Sequence, residues 1–544
     1  PSPRCDVSAQ TAAAMERKRT GVLSGPALTE KYGWKEGDRV PLKSLLSANR
    51  DRATGNLMLR QYSSLKPALL AGLVAALPAP LLADDLRDAL NAAYATNPSL
   101  QGARAQQRAT DETVPIARAA GLPSLQGASS YTEFLKNSAN NFTSPDRAFD
   151  SSLQLSVPVY SGGGVKNSVL AAETRVKAGQ ADLRGAESGI FSRVVASYMD
   201  VILAEAVVGL NRNNVEVLTV NLRATRDRFE IGDLTRTDVA QSQARPALAQ
   251  GDLRSAQSSL IAAREFYLSI VGKPPVALQP PPPLAGLPDT PAEATQIALD
   301  NNPDLIAARQ RSTAAGFDVR AVSASRLPRI NVFTGLGYTD YLGTLGGAAA
   351  GTGAFTQSQT TAQAGIRASI PMFQGGLPAA QRRQAQAREN ATMEQEIAIE
   401  REVIATVRAA FASWQATDEI IASSQSAVDA ATLSLEGVRA ENSVGNRTIL
   451  DILDAERELL QAQTRLVTAR RNAYVAGFSL LSAMGMAEAR DLGLDGGPLY
   501  DPDVNYQRVR GKVFDWDSDP APVAKATRTV DSAPQDGAPS DVPE

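Results

Sequence analysis

The sequence of 544 residues contains one unit twice, and this duplication constrains the fold more than any other feature. The segment Asn97–Leu100 is repeated 205 residues later as Asn302–Leu305, and Val157–Gly163 is repeated 213 residues later as Ile370–Gly376. The interval changes once, within a Gly-, Ala- and Thr-rich stretch at residues 343–359. An insertion between otherwise constant intervals is typical of a surface loop. We therefore expect two halves of the same architecture.

Each half is predicted to begin with a short helix, which ends near Leu122 in the first half and near Leu327 in the second. Two segments then alternate apolar with small or polar residues. They place strands at about residues 125–134 and 150–159 in the first half and at about residues 329–339 and 363–371 in the second. A period of two fits a membrane barrel strand with one face on lipid and one on a polar lumen. It fits a soluble hairpin with one buried face equally well.

Each half continues with a long helical hairpin. The sequence after each pair of strands contains no proline over more than 60 residues, so each stretch can form one uninterrupted helix. A turn follows at Gly232–Thr235 and at Gly445–Thr448, where glycine can end one helix and threonine can cap the next. This predicts coiled-coil hairpins at residues 164–272 and 379–485.

The return helix of the second half has two adjacent apolar stripes with a spacing of seven residues. One stripe is Ile452, Leu459, Leu466, Ala473 and Leu480, and the other is Leu453, Leu460, Val467, Tyr474 and Leu481. Two neighbouring stripes predict that the helix packs against two partners and supercoils left-handed. The first half has Pro246 in the corresponding stripe, where it is expected to kink the helix or to weaken a hydrogen bond.

The N-terminal part of the sequence indicates export. An apolar run at residues 68–82 follows Met58 and two basic residues and precedes a small residue and two aspartates. This is the pattern of a secretory signal peptide, which we place at residues 58–83. Residues 1–57 are then expected to be an extension that is not part of the mature protein. A genuine but disordered extension is the alternative.

The remaining boundaries follow from composition. The first repeat is predicted at residues 84–279 and the second at residues 293–498, with a proline-rich linker at residues 280–292 between them. From about residue 499 the sequence is rich in Asp, Pro, Ala and Ser, so residues 499–544 are predicted to be a disordered tail.

The composition excludes several kinds of site. The chain has no histidine and one cysteine, Cys5, which rules out a Ser-His-Asp or Cys-His catalytic unit, an imidazole metal site and an internal disulfide. The formal net charge of −3 argues against nucleic acid as a partner. Neither a cofactor nor a metal is expected, and we do not expect an enzyme.

Four strands cannot close a membrane barrel, because the edges of an open sheet leave backbone groups unpaired in lipid. Three chains would supply twelve strands, which is enough for a closed barrel. The sequence resembles the TolC family of outer-membrane efflux and secretion channels in its two Asn-Pro helix starts and in the motifs Pro158–Gly163, Pro371–Gly376 and Ser443–Asp454. The resemblance covers about residues 84–498.

The resemblance implies a mainly α-helical homotrimer with a 12-stranded β-barrel in the outer membrane and an α-helical tunnel in the periplasm. A mixed equatorial region would ring the tunnel and include residues near 279–300 and the stretch after Gly485. The implied function is passive export of drugs or proteins. The implied partners are a periplasmic adaptor, an inner-membrane transporter of the ABC, RND or MFS type, and outer-membrane lipid.

Asp451 and Asp454 are three residues apart near the start of the last long helix, so they share a face. In isolation, the helix dipole explains carboxylates at such a position. The resemblance implies instead that three copies of each form rings at the periplasmic entrance, which select cations and let divalent cations block the pore. Mutual repulsion within such rings is expected to raise the pKa of these carboxylates.

The resemblance also implies a gating link between Arg447 and Asp238, which holds neighbouring coiled coils closed. Asp238 has the same place in the first repeat as Asp451 in the second. Asn442 stands where the family's best-known member has a tyrosine in this link, so the link is expected to be looser or differently connected. The alternative is a solvated surface arginine, which contributes little to stability.

The two turns are further expected to dock the adaptor. Their residues are Gly232, Asp233, Leu234, Thr235, Gly445, Asn446 and Thr448.

Two other functions compete with the channel. A periplasmic adaptor also has long helical hairpins, but it lacks the duplicated unit of strands, Gly-Gly and helix. An exported enzyme could use paired carboxylates, but nothing in the sequence gathers them around a pocket.

Overall fold

The computed structural model describes residues 20–21, 40–41, 85–136, 144–346, 349, 353–494 and 497–539. The chain divides into two compact units, residues 1–79 and residues 80–544. In the first unit, the two-residue strands Thr20–Gly21 (β1) and Val40–Pro41 (β2) pair antiparallel. The predicted signal peptide and the rest of the predicted N-terminal extension lie outside the described residues.

The second unit contains the duplicated architecture. The helices of the first half are Leu86–Thr96 (α1), Pro98–Asp111 (α2), Thr113–Ala119 (α3), Gly164–Glu230 (α4) and Arg236–Val271 (α5). Those of the second half are Pro291–Asn301 (α6), Pro303–Ser323 (α7), Leu377–Ser443 (α8) and Ile449–Met484 (α9), with a short 3-10 helix at Ala324–Arg326. Pro502–Val509 forms α10.

Four strands form one antiparallel sheet in the order β3-β4-β5-β6. They are Ser124–Glu133 (β3), Arg147–Tyr160 (β4), Arg329–Asp340 (β5) and Ser358–Ser369 (β6). All four overlap the segments predicted from alternation, although β6 starts earlier than expected. The two hairpins join through β4 and β5, in a register that places Leu155 opposite Thr334. The outer edges of β3 and β6 are therefore left without a strand partner in this sheet.

The helix predicted up to Leu122 or Leu327 begins at the Asn-Pro pair of each half, as α2 followed by α3 in the first half and as α7 in the second. A further helix that the sequence analysis did not predict, α1 or α6, precedes each pair. The breaks after α1 and α6 fall at Asn97 and Asn302, whose side chains accept hydrogen bonds from the first turns of α2 and α7. Each is followed by proline at the first helical position, which suits a helix start and ends the helix before it.

The long hairpins lie within two residues of the predicted limits, the largest difference being the start of α8 at Leu377 rather than at residue 379. The helices α4 and α8 begin just after the Gly-Gly pairs, and the return helices α5 and α9 end at Gly272 and Gly485, both with left-handed backbone. The helix α5 continues through Pro246, whose ring nitrogen has no hydrogen to donate to the preceding turn.

The two stripes of α9 face two different neighbours, as predicted. Ile452 packs with Leu435 of α8, while Leu453 packs with Leu218 of α4 and with α5. One stripe therefore closes the hairpin of the second half, and the other joins the two hairpins of one chain.

The main core lies where α1, α6 and the segment after α9 surround the long helices. It contains Leu90, Ala298 and Ala487 together with Phe191 and Tyr198 of α4. By length and composition, a stretch of α4 is apolar enough to cross a membrane, but 44% of it is buried in the protein. A buried core helix meets the same criterion, and we assign α4 to the core.

The predicted disorder of the C-terminal tail is wrong for the part that folds as α10. Asp501 caps this helix, proline stands at its start, and Asn505 is buried against α2. The tail has few apolar residues, so the composition gave no sign of this helix. It docks on the first repeat through hydrogen bonds from Asn505 to Asp111 and from Gln180 to Asp503, and through Tyr506, which packs against Val114 and Val176.

Candidate functional site: the turns between the long helices

The two turns that join the long helices have nearly the same geometry. Gly232 and Gly445 adopt φ values of 83° and 81°, a left-handed conformation that only glycine adopts without strain. The residue after each glycine donates its amide to a carbonyl of the preceding helix, from Asp233 to Arg228 and from Asn446 to Glu441, both at 2.9 Å. These bonds satisfy carbonyls at the helix ends and fix the reversal of the chain.

Each return helix then starts with a reciprocal cap. Thr235 accepts a hydrogen bond from the amide of Asp238, and the Asp238 carboxylate accepts one from the amide of Thr235 at 2.9 Å. Thr448 and Asp451 repeat this arrangement, with the corresponding bond at 2.8 Å. The Thr-x-x-Asp spacing could have revealed both caps from the sequence. Hydrogen bonds from the threonine hydroxyl and amide hold the pKa of each aspartate below its ordinary range.

Asp451 and Asp454 both lie on the first turns of α9, but they have different surroundings. Asp451 is engaged in the cap, while Asp454 accepts a hydrogen bond from Arg245 of α5 at 2.9 Å and has Arg457 at 3.7 Å. Within one chain, Asp454 is exposed and Asp451 is partly exposed. The raised pKa expected from a ring of carboxylates is not seen in the single chain, where the cap lowers the pKa of Asp451.

Arg447 bonds within its own turn. Its Nε donates to Glu441 at 2.7 Å, and its Nη1 lies 3.9 Å from the Asp451 carboxylate. Glu441, the nearer acid, is the main reason why the pKa of Arg447 is raised. Within the described part of one chain, Arg447 and Asp238 do not bond to each other. A link between them therefore requires a neighbouring chain.

Three polar contacts that the sequence did not reveal join the hairpins of one chain near the turns. Arg228 of α4 donates to Asn442 of α8 at 3.3 Å, so Asn442 does take part in the turn region. Arg245 of α5 reaches Asp454 of α9, as described above. The third contact lies further from the turns, where the buried carboxylate of Glu456 accepts from Asn221 of α4 at 2.6 Å. The same carboxylate accepts from Arg439, in its own hairpin, at 3.0 Å.

The surface of the two turns is open to solvent. All of the predicted docking residues are exposed except Leu234, which is half-buried. Each glycine is preceded by an exposed apolar residue, Ile231 in the first turn and Val444 in the second. These two occupy equivalent positions in the repeats and were not singled out from the sequence. Among the described residues, no group of three or more acidic or cysteine side chains is placed to hold a metal ion.

The family model of the "Outer membrane efflux protein" matches residues 89–271 and 294–486, which are the two repeats. The chain belongs to this family. Among the relatives of this outer membrane efflux protein, BepC of Brucella suis is 32% identical over 433 residues, covering 80% of this chain and 92% of BepC. TolC of Escherichia coli is 28% identical over 424 residues, covering 75% of this chain and 84% of TolC.

Solved structures agree with the fold. The outer membrane protein VceC of Vibrio cholerae superposes with a TM-score of 0.63 at 22% identity, covering 74% of this chain and 96% of VceC. The CmeC outer membrane channel of Campylobacter jejuni gives a TM-score of 0.65 at 16% identity, covering 78% of this chain and 89% of CmeC.

Membership settles two predictions made from the sequence. The resemblance drawn from the repeated motifs is confirmed, and this outer membrane efflux protein acts in the outer membrane rather than as a periplasmic adaptor. The family consists of channel proteins, not enzymes.

Proposed function

We propose that three copies of the chain form a closed barrel in the outer membrane, continued by a helical tunnel in the periplasm. The observation that supports this most directly is the open four-stranded sheet, in which the outer strands β3 and β6 each lack a partner on one side among the residues that the structure describes. Open edges are not tolerated in hydrocarbon, because unpaired backbone groups cost several kcal/mol each. Pairing of β6 in one chain with β3 in the next removes both edges in a closed ring.

The tunnel serves as a passive exit duct. An inner-membrane transporter of the ABC, RND or MFS type selects the drug or protein cargo and passes it on through a periplasmic adaptor. The exposed turns Gly232–Thr235 and Gly445–Thr448 are the proposed docking points for that adaptor. Their two similar conformations support this, because one adaptor surface can recognise both turns.

The ends of the hairpins form the proposed constriction. In a trimer, Asp451 and Asp454 would each be present three times around the axis and would favour cations over anions. The contacts between the hairpins of one chain support a closed end, since Arg228, Arg245 and Asn221 of the first hairpin each bond to a residue of the second. A further link from Arg447 to Asp238 of a neighbouring chain completes the proposed latch.

The assembly is tested by isolating the outer membrane, extracting the protein in mild detergent and running it unheated and heated on a denaturing gel. A heat-sensitive trimer in the outer-membrane fraction is expected, together with ion conductance after reconstitution in planar bilayers. Recovery as a monomer, or in the soluble periplasmic fraction, would contradict the proposal. The heated sample of the same preparation is the control for the mass of the single chain.

A further inference from the structure

The C-terminal segment, residues 499–539, first runs along the helices of the first repeat towards the sheet. The amide of Tyr500 donates to Tyr94 of α1 at 2.7 Å, and Asn505 then donates to Asp111 at the end of α2 at 2.6 Å. Further along, the Arg510 carbonyl accepts from Arg118 of α3 at 3.2 Å. The helices α2 and α3 lead directly into β3. The C-terminal segment contacts them in the same order, so it runs parallel to them from the main core towards the sheet.

The segment then turns back. Asp519 accepts two hydrogen bonds from Arg508, at 2.6 and 2.8 Å, and Lys512 lies 2.8 Å from Asp517. Later residues return to the core end, where Asp536 pairs with Arg264 of α5 at 2.8 Å. Residues 511–517, which we call the apex, therefore form the part of the segment nearest to the sheet, and ion pairs hold its two arms together.

The apex presents apolar side chains to the outside. Val513 is 65% exposed, Phe514 is 71% exposed and Trp516 is 87% exposed. The chain has three tryptophans; Trp414 packs against the main core, and Trp34 lies outside the described residues. Exposed aromatic rings are typical of side chains that sit at a membrane interface, and Arg510 lies beside them to meet headgroups. The acidic residues of the apex are Asp515 and Asp517, of which Asp517 is paired with Lys512.

We propose that the apex inserts Phe514 and Trp516 into the periplasmic leaflet of the outer membrane, beside the barrel. Its position supports a lipid surface as the partner, since Arg118 at its base is only six residues before the first residue of β3, Ser124. Six residues of chain span at most about 20 Å. Three side chains also offer far less area than a stable protein interface needs, whereas a bilayer requires only partial burial of aromatic rings.

This inference rests on the proposed entry of the strands into the membrane, and the experiment separates the two. Trp516→Cys is made in a Cys5→Ser background, labelled with a nitroxide and reconstituted as the full-length protein in phosphatidylethanolamine–phosphatidylglycerol vesicles. Accessibility to oxygen, which partitions into lipid, is compared with accessibility to a water-soluble nickel chelate. Val530→Cys is the matched control, because it is 80% exposed and lies on the returning arm near the core end. Leu336→Cys on β5 reports on the strands.

The expected result is that the Trp516→Cys label is more accessible to oxygen than to the nickel chelate, while the Val530→Cys label shows the reverse. Equal access of the chelate to both labels would overturn the inference, and so would protection of the Trp516→Cys label from both reagents, which indicates a covering protein. If the Leu336→Cys label is in water as well, the proposed barrel fails. If only the Trp516→Cys label is in water, the apex proposal alone fails.

A second measurement needs no label. Brominated lipids quench nearby tryptophans, so the unmodified protein in such vesicles should lose more fluorescence than Trp516→Phe. Equal fractional quenching in the two proteins would count against insertion. Trp516 is so exposed that phenylalanine is not expected to disturb folding.

Discussion

At the scale of single residues, two opposing effects act on the pKa of the turn aspartates, namely capping hydrogen bonds and repulsion between carboxylates. Asp238 and Asp451 are equivalent in the repeat, and both close a cap that lowers their pKa. Asp454 has no such cap and instead bonds to Arg245. In the proposed trimer, repulsion around the ring acts in the opposite direction to the cap. In the proposed ring, the cap therefore favours the charged form of Asp451 and opposes the rise in pKa that repulsion between carboxylates causes.

Replacing Thr448 by alanine should loosen the start of α9. Removal of a threonine N-cap generally costs about 1 kcal/mol, so amide exchange in the first turn should become several-fold faster. Hydrogen exchange read by mass spectrometry measures this. Thr464→Ala, which removes a hydroxyl from the interior of the same helix, is the control and should leave the first turn unchanged.

The same cap should depend on pH. Because the pKa of Asp451 is lowered in the folded chain, the cap contributes stability above the ordinary aspartate pKa and loses it as the pH falls through the lowered value. The difference in the free energy of unfolding of the first turn between Thr448→Ala and the unmodified protein should therefore become smaller in acid. A difference that stays constant down to strongly acidic pH would show that the carboxylate is not part of the cap.

The double substitution Asp451→Asn with Asp454→Asn should weaken the preference of the channel for cations. Asparagine keeps an oxygen to accept the capping bonds but removes the charge, so the fold of the turn is retained. We expect a several-fold drop in the cation-to-anion permeability ratio, together with weaker block by divalent cations, in single-channel recordings. Asp300→Asn, at an exposed position on α6 near the core, is the control. Unchanged selectivity would remove both residues from the pore.

At the scale of secondary-structure elements, the ends of the hairpins are held by contacts within the chain and, in the proposed trimer, by a link between chains. Arg447 bonds to Glu441 in its own turn, which leaves part of its guanidinium available to a neighbouring chain.

Arg447→Ala should raise the current through the closed channel, because the proposed link to Asp238 is lost. Planar-bilayer recording measures this, with Arg465→Ala on an exposed face of α9 as the control. A closed level equal to that of the unmodified protein contradicts the link.

Much of the element order could be predicted because it depends on local patterns. The glycines at 232, 272, 445 and 485 mark helix ends, since left-handed backbone at these points favours glycine. The two stripes of α9 correctly indicated two neighbours. The side-chain contacts between hairpins could not be predicted, because the repeat places Arg228 and Asn442 at nearly equivalent positions, 214 residues apart, without indicating which helices of the two repeats pack together.

At the scale of the whole molecule, α10 joins the C-terminal segment to the first repeat through a buried polar contact. Asp111 has a pKa that is raised mainly by burial, and hydrogen bonds from Asn505 and Gln107 oppose that rise. The sequence could not predict this contact, because the tail shows no apolar periodicity and its partner lies 394 residues away. The composition showed correctly that the tail is polar, but it did not indicate that α10 docks on the first repeat.

Replacing Asn505 by alanine should destabilise the protein at neutral pH, because the buried Asp111 carboxylate loses a donor. Loss of a buried hydrogen-bond partner typically costs about 1–3 kcal/mol. The raised pKa means that the neutral form is favoured in the folded state, so the loss should become smaller as the pH falls. Differential scanning calorimetry at several pH values tests this. Val504→Ala, at an exposed neighbour on α10, should have little effect.

The open edges of β3 and β6 also have a genetic consequence. In the proposed trimer, every pore needs three intact chains. A chain with a damaged β3 that still associates through its helices would therefore inactivate any pore that contains it. A cell that makes both forms should then lose more export than the share of damaged chains would suggest. Such dominance would be absent for a lesion that prevents the chain from meeting its partners at all.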